Sequence, residues 1–225
     1  MTEQEWQACA DPKPMLKFLG GETNEHRPTR RKLQMFACAC CARELSKREE
    51  PGVLHEAVRL SQARADGKAN DEEVHALAAR VHDFFGHCLY PGNLRCAVVD
   101  AMFTDVIVEP AFMEGLDEWH APDDSGHAHA SKAAELTCFR PEDALSQANL
   151  LRHIMGNPFR PCPTPPSWPS TVVQLAESLY DGQDCAFALH DVLLEAGQAE
   201  LAEHFLKETW HPKGCWAMDL ILGKT

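Results

Sequence analysis

Two short groups of residues in this chain have the types and the spacing of metal ligands. Cys38 and Cys41 form a C-x-x-C pair inside FACACC, and His211 and Cys215 are spaced H-x3-C inside TWHPKGCW. Thiolate and imidazole are ligands that zinc prefers, and four of them complete a tetrahedral structural site. If the two groups meet in the fold, they would form a Cys3His zinc site with no open position for a substrate.

The same cysteines could instead serve in packing or in redox chemistry. Free cysteine behaves as a small apolar side chain and is among the most buried residue types, so packing is the role that the sequence favours. A redox role is less favoured, because a redox-active C-x-x-C begins a helix that follows a strand, and no strand precedes these cysteines. On a helix, Cys40 points into the core with Leu33 and Phe36, while Cys38 and Cys41 share another side.

Motifs that identify an enzyme are absent from the sequence. The chain has no G-x-S-x-G nucleophile elbow, no G-x-x-x-x-G-K-[ST] phosphate loop, no H-E-x-x-H and no G-x-G-x-x-G. We therefore assign no catalytic and no cofactor-binding residue, and we favour a protein that is not an enzyme. We expect no organic cofactor, and zinc is the alternative if the cysteines and the histidine converge.

A cluster of basic residues stands out against an acidic chain. The formal net charge of the 225 residues is −13, which disfavours nucleic acid and anionic membrane surfaces as partners. Between positions 27 and 48, however, seven basic residues face one acidic residue, giving a local charge of +6. This patch would suit a protein partner with an acidic surface, or it would neutralise the protein's own carboxylates, which the sequence favours. The patch comprises Arg27, Arg30, Arg31, Lys32, Arg43, Lys47 and Arg48.

The elements that must position these residues are helices. Apolar residues recur at helical spacing along most of the chain, and caps such as Thr2 with Glu5 and Asp11 before Pro12 mark helix starts. Residues 156–170 contain six prolines, which exclude a helix and predict an extended connector. We predict an all-α fold, an irregular multi-helix bundle of roughly nine to ten short helices with a Pro-rich connector.

The helices are predicted to form one cytoplasmic domain over residues 1–225. The start MTEQEWQACADP lacks the basic and apolar regions of a signal peptide, and no apolar run approaches the roughly 20 residues that cross a bilayer. Residues 1–50 and 145–225 are predicted to form the framework, with a variable helical middle over residues 51–144. Within this middle we expect a buried helix over residues 94–112 and an exposed loop over residues 115–131.

Motifs at both ends of the chain resemble a known family. MTEQEWQACADPKPMLKFL and RRKLQMFACACCARELS at one end, with LLRHIMGNPFRP and GCWAMDLILGK at the other, are similar to an expanded family of uncharacterised bacterial proteins best known from planctomycetes. Its members open with an MTE-EW pattern leading to FACACC and close with GNPFRP and a GCW tail. The resemblance supports the framework boundaries and implies no reaction.

Two classes of function follow from these observations. The first is a non-catalytic protein-interaction or adaptor module, because the helical framework has no catalytic signature. The second is a metal-dependent protein, either a zinc protein with a structural Cys3His site or a metal-dependent enzyme of unknown reaction.

Overall fold

Every regular element that the structure describes is an α-helix. A computed structural model of the chain describes residues 1–21, 28–85, 98, 133–135, 137 and 141–224, and these residues contain no strand. The predicted all-α fold is confirmed. The helices are α1 (Glu3–Ala8), α2 (Pro12–Leu19), α3 (Arg30–Leu45), α4 (Gly52–Ala65), α5 (Asp71–Phe85), α6 (Pro141–Met155), α7 (Ser170–Tyr180), α8 (Ala186–Glu195), α9 (Ala199–Lys207) and α10 (Trp216–Leu222).

The chain divides into two compact units, Met1–Leu151 and Arg152–Thr225, which we call the N-terminal unit and the C-terminal unit. The single domain over residues 1–225 stays a prediction. The predicted loop 115–131 and, apart from Val98, the predicted helix 94–112 lie outside the described residues. Among the described helices, none combines the length and the apolar composition that a bilayer crossing requires.

Local side-chain hydrogen bonds explain where several helices begin. At α1, the Thr2 hydroxyl accepts from the Glu5 N–H at 3.2 Å, and the Glu5 carboxylate accepts from the Thr2 N–H at 2.7 Å. At α2, the Asp11 carboxylate accepts from the Lys13 backbone N–H at 2.9 Å. Such caps satisfy backbone donors that the first helical turn leaves unpaired, so both predicted helix starts are confirmed.

The cysteine-bearing helix α3 is buried on all sides in its central part. Every residue from Leu33 to Cys41 is buried, including Gln34, which has no exposed surface. The sequence predicted a single inward face containing Leu33 and Phe36, whereas the structure surrounds the helix. A helix that is buried on every side does not show the single apolar face of a surface helix. Small residues such as Ala37 allow the neighbouring helices to pack closely against it.

Cys38 and Cys41 lie in the apolar core of the N-terminal unit. They pack in one cluster with residues of α4 and α5, among them Leu54, Ala57 and Val74. α3 packs on α4, and α4 packs on α5. Cys38 and Cys41 therefore occupy the positions of packing residues.

The core of the C-terminal unit comes from its four helices α7 to α10. α8 and α9 are joined by three residues around Gly197, whose φ of 74° suits glycine, and they pack on each other as an αα-hairpin. α7 packs on α8 and on α10. The connector before α7 is not helical, as predicted, and its Trp168 packs against this core.

The buried thiols give a testable consequence of this packing. Burial raises the pKa of Cys38 and of Cys40 to about 12, so at pH 8 the reactive thiolate is on the order of one part in ten thousand. We expect iodoacetamide to modify the partly exposed Cys9 in the native protein and to leave Cys38 and Cys40 unmodified until urea unfolds the chain. Peptide mass spectrometry measures both states. Equal labelling of Cys38 with and without urea would contradict its burial in the core.

Candidate metal centre

Four side chains of the C-terminal unit bring metal-ligating atoms together. His153, His204, His211 and Cys215 each offer one ligand atom, and these atoms all lie within 4.8 Å of one another. Three imidazoles and one thiol are a donor set suited to zinc and to other borderline transition metals. The group could therefore hold a metal ion.

Separate chain segments deliver the four side chains. His153 lies in the last turn of α6, His204 lies on α9, and His211 lies in the segment between α9 and α10. Cys215 is the residue immediately before α10, and its backbone N–H donates to the Pro212 carbonyl at 3.0 Å. Because of this turn, the side chains of His211 and Cys215 both lie close to His204 on α9.

The distances within the group suit a tetrahedral ion after small side-chain movements. With zinc–sulfur bonds of about 2.3 Å and zinc–nitrogen bonds of about 2.0–2.1 Å, a tetrahedral site separates nitrogen from sulfur by about 3.5 Å and two nitrogens by about 3.4 Å. The Nε2 atom of His204 lies 3.1 Å from the Sγ atom of Cys215. The largest separation in the group, 4.8 Å, needs to shorten by about 1.4 Å, which rotation of a side chain can supply.

The imidazole rings contact one another and are flanked by aromatic side chains. The ring centroids of His153 and His204 are 4.8 Å apart, and those of His204 and His211 are 5.3 Å apart. Phe205 lies 5.1 Å from the His211 ring, and Trp216 lies 5.2 Å from the His204 ring. These apolar walls reduce the access of water, which strengthens the binding of a cation by the thiolate.

Gly156 allows Trp216 to approach the end of α6. Its φ is +74°, and a Cβ atom at this position would lie 3.1 Å from Cγ of the Trp216 ring. A larger residue would therefore be strained in its backbone and would push the indole away. Because Gly156 follows His153 by three positions and Trp216 follows Cys215 directly, this contact fixes two of the four ligands relative to each other.

Burial favours the neutral, metal-binding form of two histidines of the group, His204 and His211. Burial lowers the pKa of His204 from 6.5 to about 3, and the nearby rings of His153 and His211 lower it further. Burial also lowers the pKa of His211, partly opposed by the backbone of Glu208. Apart from this approach to the Glu208 backbone, the two buried ring nitrogens of His211 have no hydrogen-bond partner among the described residues. A buried imidazole without a hydrogen bond is costly, and a metal ion would satisfy it.

The structure brings together half of the ligand set that the sequence suggested. His211 and Cys215 belong to the group, whereas Cys38 and Cys41 lie in the core of the N-terminal unit and do not. His153 and His204 take the other two positions. A signal for His204 exists in the sequence, since H-x6-H-x3-C places three ligands within twelve residues, but His153 lies about fifty residues earlier and only tertiary structure adds it.

The predicted basic patch is largely paired with the protein's own carboxylates. Arg31 contacts Asp66 at 3.0 Å, and Arg43 and Lys47 contact Asp143 at 3.3 Å and 3.2 Å. Lys47 and Arg48 also contact the buried Glu44 at 2.6 Å and 3.9 Å. Arg30 is exposed and Lys32 is half-buried, and Arg27 lies outside the described residues. Internal neutralisation therefore accounts for most of the patch that the structure describes.

The Asp143 contacts give a prediction for the stability of the N-terminal unit. The side chain of Asp143 is 2% exposed, and its carboxylate forms ion pairs with both Arg43 and Lys47. We expect Asp143→Ala to lower the free energy of unfolding by about 2 kcal/mol, because Arg43 and Lys47 lose one of the two buried carboxylates that they share, Glu44 being the other. Urea unfolding measures this loss. As a matched control, Asp71→Ala removes a 62% exposed partner of Arg64 and should cost less than about 1 kcal/mol. Equal losses would contradict the assignment.

Comparison of this chain with protein-family models, with curated proteins and with solved structures finds no match. The family resemblance of the two ends of the chain therefore stays a prediction. The candidate metal centre rests on its own geometry alone.

Proposed function

We propose that the C-terminal unit is a zinc-binding unit, with His153, His204, His211 and Cys215 as the four ligands of one structural zinc ion. The observation that carries this proposal is the convergence of four ligand atoms within 4.8 Å, with no carboxylate among them. Four protein ligands fill a tetrahedral zinc ion, so no position stays open for water or a substrate. The role of the ion is therefore to hold the fold rather than to catalyse a reaction.

Zinc is favoured over other metals by the chemistry of the donors. Calcium and magnesium require oxygen ligands, and the group contains none. A thiolate with neutral imidazoles suits zinc and copper, and zinc takes the tetrahedral geometry without a preference from its d electrons. The neutral state of His204, whose pKa is lowered to about 3, means that protons do not compete for this ligand at neutral pH.

The structural role follows from where the ligands stand in the chain. His153 lies at the end of α6, and His204 lies on α9, with the Pro-rich connector, α7 and α8 between them. One ion would link both ends of this long chain segment to the turn before α10. Because a metal that binds only the folded state stabilises it by mass action, free zinc at about a thousand times its dissociation constant would contribute about 4 kcal/mol.

Metal analysis of variants tests the ligand set. Purified protein should contain about one zinc ion per chain, and His204→Ala and Cys215→Ser should each lower this content and lower the melting temperature, since each removes a metal bond. Cys38→Ala should keep its zinc, because Cys38 packs in the N-terminal unit. Cys162→Ser, which changes a partly exposed thiol, is the control for general effects of cysteine removal. Wild-type protein without bound zinc after purification in zinc-containing buffer would overturn the proposal.

Cobalt substitution tests the closed, four-ligand geometry. Co²⁺ in place of zinc should give the intense visible absorption of a tetrahedral site, with a thiolate-to-cobalt charge-transfer band that is lost in Cys215→Ser. The His153→Ala variant should keep the charge-transfer band but show altered visible bands, because water takes the position that the imidazole leaves. A weak octahedral spectrum in the wild-type protein would contradict a closed site.

A non-catalytic interaction module is the second candidate function. What supports it is the exposure of large apolar side chains on the C-terminal unit, above all Phe187 at 66% and Trp210 at 49%. Exposed aromatic side chains are common anchors at protein interfaces. A structural zinc ion is compatible with this function, since Trp210 directly precedes His211 and the ion would hold it in place.

A further inference from the structure

Beside the four ligands, one carboxylate is placed to act on the metal centre without binding the metal. The Oε2 atom of Glu208 lies 3.6 Å from the Nδ1 atom of His153. The His153 side chain is 8% exposed and that of Glu208 is 50% exposed, so the pair stands at the edge of the site with the imidazole inside. The distance is that of an ion pair and is longer than a hydrogen bond, and the half-exposed glutamate can move to shorten it.

The backbone holds Glu208 in this position. It directly follows Lys207, the last residue of α9, and its N–H donates to the His204 carbonyl at 3.1 Å. It also precedes His211 by three residues. Glu208 therefore lies in the chain between two of the proposed ligands, His204 and His211. Its side chain reaches the third histidine, His153, in the last turn of α6.

A neutral imidazole has one N–H and one lone pair, and the partner of the N–H decides which nitrogen can bind a metal. With a carboxylate oxygen 3.6 Å from Nδ1, a proton on Nδ1 is favoured, and Nε2 then carries the lone pair. Metal-binding histidines commonly donate their other N–H to a carboxylate, and this partner fixes the ring and raises the basicity of the ligand.

The charge of the site points to the same role. One zinc ion, one thiolate and three neutral imidazoles sum to a single positive charge, in surroundings formed partly by Phe205 and Trp216. An uncompensated charge near apolar walls is costly, and a carboxylate at 3.6 Å from a ligand offsets it. Glu203 on α9 has a similar exposure, 57%, but contacts Lys207 at 2.9 Å and so provides a matched comparison.

We propose that Glu208 is a positioning residue of the metal centre, which accepts the Nδ1–H of His153 and thereby presents Nε2 of His153 to zinc. This inference rests on the proposed function. It assigns to Glu208 a part in zinc affinity and in the choice of tautomer, without a bond to the ion.

Competition for zinc between the protein and a chelator tests this role. We expect Glu208→Leu to weaken zinc binding about 10- to 100-fold, the usual effect of losing such a partner, and Glu208→Gln to weaken it less because the amide oxygen still accepts a hydrogen bond. Glu203→Leu should leave the affinity unchanged. In a His153→Ala background, Glu208→Leu should weaken zinc binding much less than in the wild-type protein, because only the effect of its charge remains.

Nitrogen-15 NMR of the histidine rings separates positioning from a general effect on folding. The wild-type protein with zinc should show His153 protonated at Nδ1 and bound through Nε2, and Glu208→Leu should lose or mix this state while Glu203→Leu keeps it. Unchanged affinity and tautomer in Glu208→Leu, with zinc bound, would overturn the role of Glu208 alone. Absence of zinc binding by the wild-type protein would overturn both this inference and the proposed function.

Discussion

The contact between the His204 imidazole and the Cys215 thiol, at 3.1 Å, is the interaction on which the organisation of the C-terminal unit depends. It joins α9 to the residue that precedes α10, and the rings of His153 and His211 pack around it. Polar rings are costly to bury unless something satisfies their nitrogens. A metal ion would satisfy several of them at once. Burying these imidazoles together is therefore unfavourable without a metal ion and favourable with one.

The surroundings of this contact explain how the site can be both closed and well defined. Trp216 lies over Gly156, where a side chain would collide with the indole, and Phe205 packs against His211. Rigid aromatic side chains leave the imidazoles few alternative orientations, and they limit water near the thiol. Closed sites of this kind are structural in zinc proteins, whereas catalytic sites keep one position for water. The surroundings of the group therefore suit the structural zinc site that we propose.

The N-terminal unit balances charge in a different way, through ion pairs between its own side chains. Helix α3 is enclosed along its central part, yet it carries Arg43 and Glu44 at its end, next to Lys47. Asp143 and Glu44 lie almost without exposure and receive these cations. A buried carboxylate is stable only when it is paired and hydrogen-bonded, so the basic residues near α3 are needed within the unit itself. Most of the basic residues behind the local charge of +6 thus pair with carboxylates of the protein itself and do not form an exposed basic surface.

What the sequence determined by itself was local. Caps and prolines were sufficient to predict the helix starts at Thr2 and Asp11 and the break over residues 156–170, because each depends on residues close together in the chain. His211 and Cys215 were also predicted as a ligand pair, because their spacing is short.

Only the tertiary structure decided which residues join that pair. Cys38 and Cys41 have the more familiar ligand spacing, but cysteine serves equally well as a small core residue, and their helix is enclosed by apolar neighbours. His153 and His204 have no ligand pattern between them, since about fifty residues separate them along the chain. They meet because the last turn of α6 brings the His153 ring to His204 on α9, a contact that no short stretch of sequence encodes.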